Sequence, residues 1–449
     1  MAKARSQFIC QQCAASFPKW TGKCENCGEW NSLVEQAPVE TGASVVARSS
    51  GRGAALKGVR LSETVAETAA ERLTTGIDDL DTVLGGGFLP GGVVLVAGQP
   101  GIGKSTLLAQ VSAFVAKDHR VLYVSGEESV SQVKLRAERL GAADASGLRL
   151  ASSSSAEDIA ASIQTGQYEL VVVDSIQTLL LADISSAPGS VSQITNSSNV
   201  IIRAAKAANT AVILVGHVTK EGAIAGPKVL EHLVDVVLNF EGDRYGGFRV
   251  VRAQKNRYGS TNEAAIFEMD EAGLRIVANP SASLLAERQN LDGSIVLATM
   301  EGARPLLVEI QALVNSTNFG YPKRAASGFD LNRLNLLVAV LEKRTKLSLS
   351  DKDIYVNVVG GLKLSDPAAD LAVAMAIASA SAGRKLSDDA VVFGEVGLGG
   401  EVRSATQWHA RIKEAKKLGF GYAIAPKTHK DIFVRGVSDL RQALIDYLQ

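Results

Sequence analysis

The sequence predicts an α/β protein built around a parallel sheet with helices on both faces, with a small metal-binding module before it and a separate α+β domain after it. Three observations carry this prediction. All four cysteines fall between Cys10 and Cys27. From Leu73 to about Pro280, short β-rich runs alternate with helical stretches around a glycine-rich loop. Beyond Pro280 the texture changes to alternating patterns that read as a second sheet. A chain of 449 residues has room for about three domains. The expected boundaries are a metal module over 1–35, a Gly/Ser/Ala-rich linker over 36–60, a nucleotide-binding core over 61–280 and a C-terminal domain over 281–449.

Composition narrows the class. Apolar residues make up 46% of the chain, charged residues 21% and aromatics 5%, as in ordinary soluble globular proteins. The longest apolar runs are too short to cross a bilayer and no secretory signal is visible, so a cytoplasmic location without membrane contact is expected. Net charge is zero, with 47 basic and 47 acidic side chains, which announces no polyanion partner. Through Arg60, however, eight Lys and Arg stand against four Glu. That local excess suits a nucleic-acid contact and equally a solvated tail.

Cys10, Cys13, Cys24 and Cys27 form C-x2-C-x10-C-x2-C, two knuckles whose thiolates can close a tetrahedral zinc site. Disulfides are disfavoured in a chain without a secretion signal. Four thiolates leave no open position, so the expected zinc is structural. Trp20 and Trp30 flank the second knuckle, either packed on the metal loop or offering a stacking face to single-stranded bases.

The core strands are expected at Val93–Ala97, Val121–Val124, Leu170–Val173, Ala211–Val215 and Val234–Phe240, with helices over Ser105–Ala116 and Val200–Ala208. Gly98-Gln-Pro-Gly-Ile-Gly-Lys-Ser-Thr106 matches G-x4-G-K-[ST] between a strand and a helix, which makes it a P-loop. Gly98, Gly101 and Gly103 let backbone N–H groups face the phosphates of ATP or ADP, and the following helix adds the positive end of its dipole. Lys104 neutralises the β and γ phosphates, Ser105 is expected on Mg2+, and Thr106 lines the base of the site. Asp174 ends an apolar strand where ligands bind in parallel sheets, placing it to hold the magnesium through water. Glu127 or Glu128, after the strand Val121–Val124, can polarise the attacking water, and Glu127 is the favoured base.

Thr75-Gly-Ile-Asp-Asp-Leu-Asp81 followed by Leu84-Gly-Gly-Gly-Phe-Leu-Pro-Gly91 resembles the entry sequence of RecA-like ATPases. With the four-cysteine motif, the P-loop, Lys255-Asn-Arg-Tyr-Gly259 and a Lon-like C-terminal domain in that order, the chain is similar over its whole length to the RadA/Sms family of bacterial recombination proteins. The resemblance implies a DNA-stimulated ATPase of helicase type that binds single-stranded DNA, drives branch migration of branched intermediates, works with RecA and forms homohexameric rings. It also implies that Glu127 is the catalytic Glu and that His217, after Gly216, is the γ-phosphate sensor, the alternative being an ordinary strand-end histidine. Ser185–Gln193 and Thr219–Pro227, with Lys220 and Lys228, stand where such proteins place DNA-facing loops. Lys255 and Arg257 are implied to reach the ATP of the neighbouring subunit, Arg257 being preferred because its planar fork grips two phosphate oxygens. An exposed basic turn that contacts DNA is the alternative.

The Lon-like region departs from its protease relatives at the chemistry. Where those have Gly-Pro-Ser-Ala-Gly, this chain has Asp366-Pro-Ala-Ala-Asp370, with Ala368 at the nucleophile, and His409 aligns with the catalytic Lys. A scaffold for ring assembly and DNA binding is expected, with Arg304, Lys343 and Arg344 available to DNA. Its helix His409–Leu418 reads as amphipathic, with Arg411, Lys413, Lys416 and Lys417 outward. The competing functions are an ATP-dependent Lon-type protease and a regulatory P-loop ATPase scaffold.

Overall fold

A computed structural model describes residues 7–10, 16–26, 28, 30, 32–36, 72–141, 145–217, 229–242, 248–317 and 320–448. Cys13, Cys27, the expected linker beyond residue 36 and the loop carrying Lys220 and Lys228 lie outside them. The chain packs as two compact units, Met1–Asn239 with Ala253–Gly259, and Phe240–Arg252 with Ser260–Gln449.

The first unit begins with a three-stranded antiparallel ribbon of β1 (Gln7–Cys10), β2 (Ser16–Phe17) and β3 (Leu33–Gln36), in the order β2-β1-β3. After α1 (Asp78–Leu84) come β4 (Val93–Gly98), α2 (Lys104–Val115), β5 (Val121–Ser125), α3 (Val130–Arg139), β6 (Leu148–Ser152), α4 (Ala156–Gln164), β7 (Leu170–Asp174), α5 (Val191–Ala208), β8 (Ala211–His217) and α6 (Val229–Leu233). β9 (Val236–Gly242) and β10 (Arg249–Asn256) follow, and the nine-stranded sheet continues antiparallel through Ala264–Asp270 and Gly273–Ile276. The central strands β4-β8-β7-β5-β6 are all parallel. Their sequences, such as Val93-Val-Leu-Val-Ala97, are apolar without alternation because helices cover both sheet faces, and every residue of β4 and β5 is buried. β4 and β5 are consecutive, yet β8 and β7 lie between them, so the crevice opens beyond their C-terminal ends, where open α/β sheets bind ligands.

Helix starts follow local chemistry. Ser129 and Gln132 form a capping box at α3, and Ser155 and Ser190 cap α4 and α5. α5 begins at Val191, nine residues before the helix expected from sequence, and the ribbon rests on its first turns: Asn196 donates to the Glu35 carbonyl at 3.1 Å.

The second unit holds a seven-stranded mixed sheet in the order Arg324–Ser327, Lys352–Val358, Arg304–Ser316, Ser294–Glu301, Ala390–Val392, Tyr422–Pro426, Val434–Val437. Against it lies the buried helix Asp370–Ala382, whose Ala, Val, Leu, Ile and Met side chains leave no polar face. The helix Trp408–Lys417 corrects the sequence reading at Arg411, which is 0% exposed rather than outward. Its guanidinium donates to Asp366 Oδ2 at 2.6 Å, to the Ala298 carbonyl at 2.7 Å and to the Thr406 carbonyl at 3.0 Å. Burial opposes ionisation of Asp366, but Arg411 and the Ala368 and Thr299 donors hold its carboxyl below the usual range. Four residues on, Asp370 pairs with Arg333 and accepts the Val396 N–H at 3.1 Å.

Removing one partner of such a buried pair strands a charge, typically costing about 3–5 kcal/mol. Arg411→Ala is expected to lower the stability of the second unit by about that amount, and Arg411→Met combined with Asp366→Leu to recover part of it. Urea unfolding followed by Trp408 fluorescence checks both.

Candidate nucleotide site

The crevice is built by strand register. Gly98 at the end of β4 pairs with His217 at the end of β8, and Ser125 at the end of β5 pairs with Asp174 at the end of β7. Four strand ends therefore present their side chains at one level. Between Gly98 and α2 the loop turns on Gly101 (φ 77°) and Gly103 (φ 113°), positive angles that a side chain would strain. Gly103 stands at the N-cap of α2, with Ser105 and Thr106 half-buried in the first turn. Lys104 is buried, its Nζ donating to the Gly98 and Gln99 carbonyls at 2.8 and 3.0 Å and lying 3.2 Å from His217 Nδ1.

The two adjacent glutamates separate clearly. Glu127 accepts from Ser175 Oγ at 2.8 Å and lies 3.9 Å from His217 Nε2, so it faces the P-loop lysine across the imidazole. Glu128 pairs with Arg136 on α3. Burial, followed by the Lys104 charge, lowers the pKa of His217 against the pull of Glu127 and Asp174. Its imidazole is therefore neutral at pH 7 and can accept or donate a hydrogen bond according to tautomer. Asp174 is fixed by Tyr123, whose hydroxyl donates to Oδ2 at 2.6 Å. Sequence reasoning missed both Tyr123 and Ser175. Ser175 follows Asp174 directly, whereas Tyr123 lies inside an apolar strand with nothing local to mark it.

A family model described as an AAA domain matches residues 60–223, one described as a rubredoxin metal binding domain matches 8–35, and one described as subunit ChlI of Mg-chelatase matches 335–429. The chain is 48% identical to the DNA repair protein RadA of Brucella abortus over 95% of its own length and 92% of that protein's. For the proteins of the same name from Halalkalibacterium halodurans and Bacillus subtilis the identities are 47% and 48%, each over 99% of both chains. The chain belongs to the RadA family. A crystal structure of the RadB recombinase aligns with a TM-score of 0.37 and 27% identity, covering 46% of this chain and 99% of that one.

By the family models and the curated relatives, this RadA-family chain is an α/β protein with a RecA-like ATPase core, an N-terminal zinc ribbon and a Lon-like C-terminal domain, and its core belongs to an ATP-hydrolysing class. In the ribbon, Cys10 and Cys24 are buried, and Gly28 (φ 75°) donates to the Cys24 carbonyl at 2.9 Å, forming the tight turn of a knuckle. The donor set of the four-cysteine motif, within the segment matched by the metal-binding model, is one that suits zinc.

Lys255 and Arg257 do not join the P-loop of their own chain. Arg257 Nη1 lies 2.9 Å from Asp235 Oδ1, and the other oxygen of this buried carboxylate accepts the Val93 N–H at 3.1 Å. Val93 begins β4 and Gly98 ends it, a span of about 17 Å at about 3.3 Å per residue. Lys255 Nζ donates to the Glu231 and Val234 carbonyls, both at 2.7 Å, closing the end of α6. Burial, with a contribution from Arg257, lowers the Lys255 pKa, and burial beside Asp235 pushes the Tyr258 phenol up to about 12.

The partition of the glutamates gives a direct test. Glu127→Gln is expected to keep ATP bound and to slow hydrolysis by about 10²- to 10⁴-fold, the usual worth of a general base. Glu128→Gln should change turnover by only a few-fold. Single-turnover hydrolysis alongside fluorescent-nucleotide binding checks the pair.

Proposed function

We propose that this RadA-family chain is a cytoplasmic, ATP-driven DNA-remodelling motor of homologous recombination and repair. It binds single-stranded DNA and drives branch migration of recombination intermediates, working as a homohexameric ring with RecA as its recombinase partner. In the catalytic cycle, the Gly98–Gly103 loop and Lys104 hold the phosphates of ATP. Ser105 and Asp174 hold Mg2+, Glu127 activates water, and His217 senses the γ-phosphate. The domain plan accompanying this reading is a zinc module over 1–35, a linker over 36–60, the ATPase over 61–280 and a non-proteolytic Lon-like scaffold over 281–449.

The observation that carries the ring is the placement of Arg257 and Lys255 at the far end of β4 from the P-loop. Cations so placed lie away from their own nucleotide, and in this reading they exchange their contacts with Asp235 and the α6 carbonyls for the phosphates of a neighbour's nucleotide. In trans, Arg257 supplies charge as the phosphoryl group transfers, an effect typically worth about 10³ to 10⁵ in rate. Of the expected DNA-facing loop Ser185–Gln193, Val191–Gln193 are instead the first turn of α5, and residues 185–190 ahead of it are the DNA-facing segment of this reading. Proteolysis has no place in it, since position 368 is a buried alanine flanked by the paired Asp366 and Asp370.

ATPase rate measured with no DNA, with single strands and with duplex is the deciding experiment. Stimulation several-fold by single strands is expected. A rate indifferent to DNA would replace the motor with a regulatory ATPase, and ATP-dependent cleavage of casein would restore the protease. Arg257→Ala and Lys104→Ala proteins should each be nearly inactive alone and recover partial activity when mixed, because a mixed ring pairs an intact P-loop with an intact neighbouring cation. An Arg257→Ala protein with normal turnover but weakened DNA affinity would move the motif to a DNA contact.

A further inference from the structure

Tyr123 is the third residue of β5, paired in register with Val172 of β7, and it is 1% exposed. Nothing in an apolar strand requires a hydroxyl. A phenylalanine would fill the same space, and burying an O–H is favourable only when it finds a partner. Its partner is Asp174, the carboxylate at the end of β7, at 2.6 Å. That length is characteristic of a charge-assisted O–H···O⁻ bond, roughly twice as strong as a neutral one.

We infer that Tyr123 is a positioning residue for magnesium: by occupying Oδ2 of Asp174 it fixes the carboxylate rotamer and leaves Oδ1 as the oxygen that faces the metal's water shell. This inference rests on the reading of Asp174 as the magnesium-holding acid. A phenol carries a single O–H that can donate to one carboxylate oxygen, and the buried ring holds it in place. Outer partners of metal-holding carboxylates typically contribute about 10- to 100-fold in metal affinity or activity.

The test is a titration of ATPase activity with Mg2+ at saturating ATP, using the full chain. Tyr123→Phe keeps the ring and is expected to raise the Mg2+ concentration for half-maximal activity about 10-fold and to lower kcat, with nucleotide affinity in EDTA unchanged. Asp174→Asn should also raise that midpoint, and adding Tyr123→Phe to it should change nothing further, because the hydroxyl acts only through the carboxylate. A Tyr123→Phe protein with a lowered melting temperature but an unmoved Mg2+ midpoint would make Tyr123 a packing residue and overturn the inference. An unmoved midpoint in Asp174→Asn would remove the magnesium role of Asp174 and the inference with it. If Tyr123→Phe does not fold, 3-fluorotyrosine at position 123 replaces it. Its fluorine resonance should shift when Mg2+ is added to the ADP-bound protein, and this shift should vanish in Asp174→Asn. A resonance indifferent to Mg2+ overturns the inference equally.

Discussion

The nucleotide site depends on one constraint, the parallel register of β4, β8, β7 and β5. Because Gly98 lies beside His217 and Ser125 beside Asp174, the phosphate loop, the imidazole, the acid and the glutamate turn emerge at the same height without long connections. Apolar side chains hold that register from both faces, and a slip of one residue would turn each strand over and scatter the site. Chemistry at the rim is thus secured by packing in the interior, where Val171, Val172, Leu214 and Leu95 are fully buried.

How much of this the sequence discloses depends on the range of the interaction concerned. The P-loop is readable because its glycines, lysine and hydroxyls act within one short segment. The choice between Glu127 and Glu128 is not settled by spacing, since adjacent residues leave a strand end in different directions, and the partners that separate them, Ser175 and Arg136, lie on other elements. Arg411 was misread as outward because it sits among lysines that are solvated. Its partner Asp366 is 45 residues away, beyond any helical pattern. The start of α5 was missed for a related reason. Its first turns are rich in Ser, Thr and Asn, poor helix formers on propensity, yet Ser192, Thr195, Ser197 and Ser198 are buried by tertiary packing.

In the Lon-like unit, the turn that leads into the buried helix Asp370–Ala382 is ionic. Asp366 and Asp370 bracket Ala368, each tied to an arginine from a different helix. Buried ion pairs contribute little net stability against hydrophobic replacements, but they tolerate very few arrangements. They tie the helices Leu331–Thr345 and Trp408–Lys417 to the segment that opens Asp370–Ala382.

Asp235 bears on timing. Its one buried carboxylate is shared between the first N–H of β4 and the guanidinium of Arg257, with Lys206 3.6 Å away. If Arg257 serves a neighbouring protomer's nucleotide as proposed, the arriving phosphate does not meet an unclaimed cation. It must win Arg257 from an anion already seated, so that engagement is an exchange of partners rather than a capture. Such an exchange favours the more highly charged competitor, and ATP carries more negative charge at its terminal phosphate than ADP offers at the same place. Under that proposal a single aspartate is the threshold: the arginine answers to a triphosphate and returns to its own chain once that phosphate is gone.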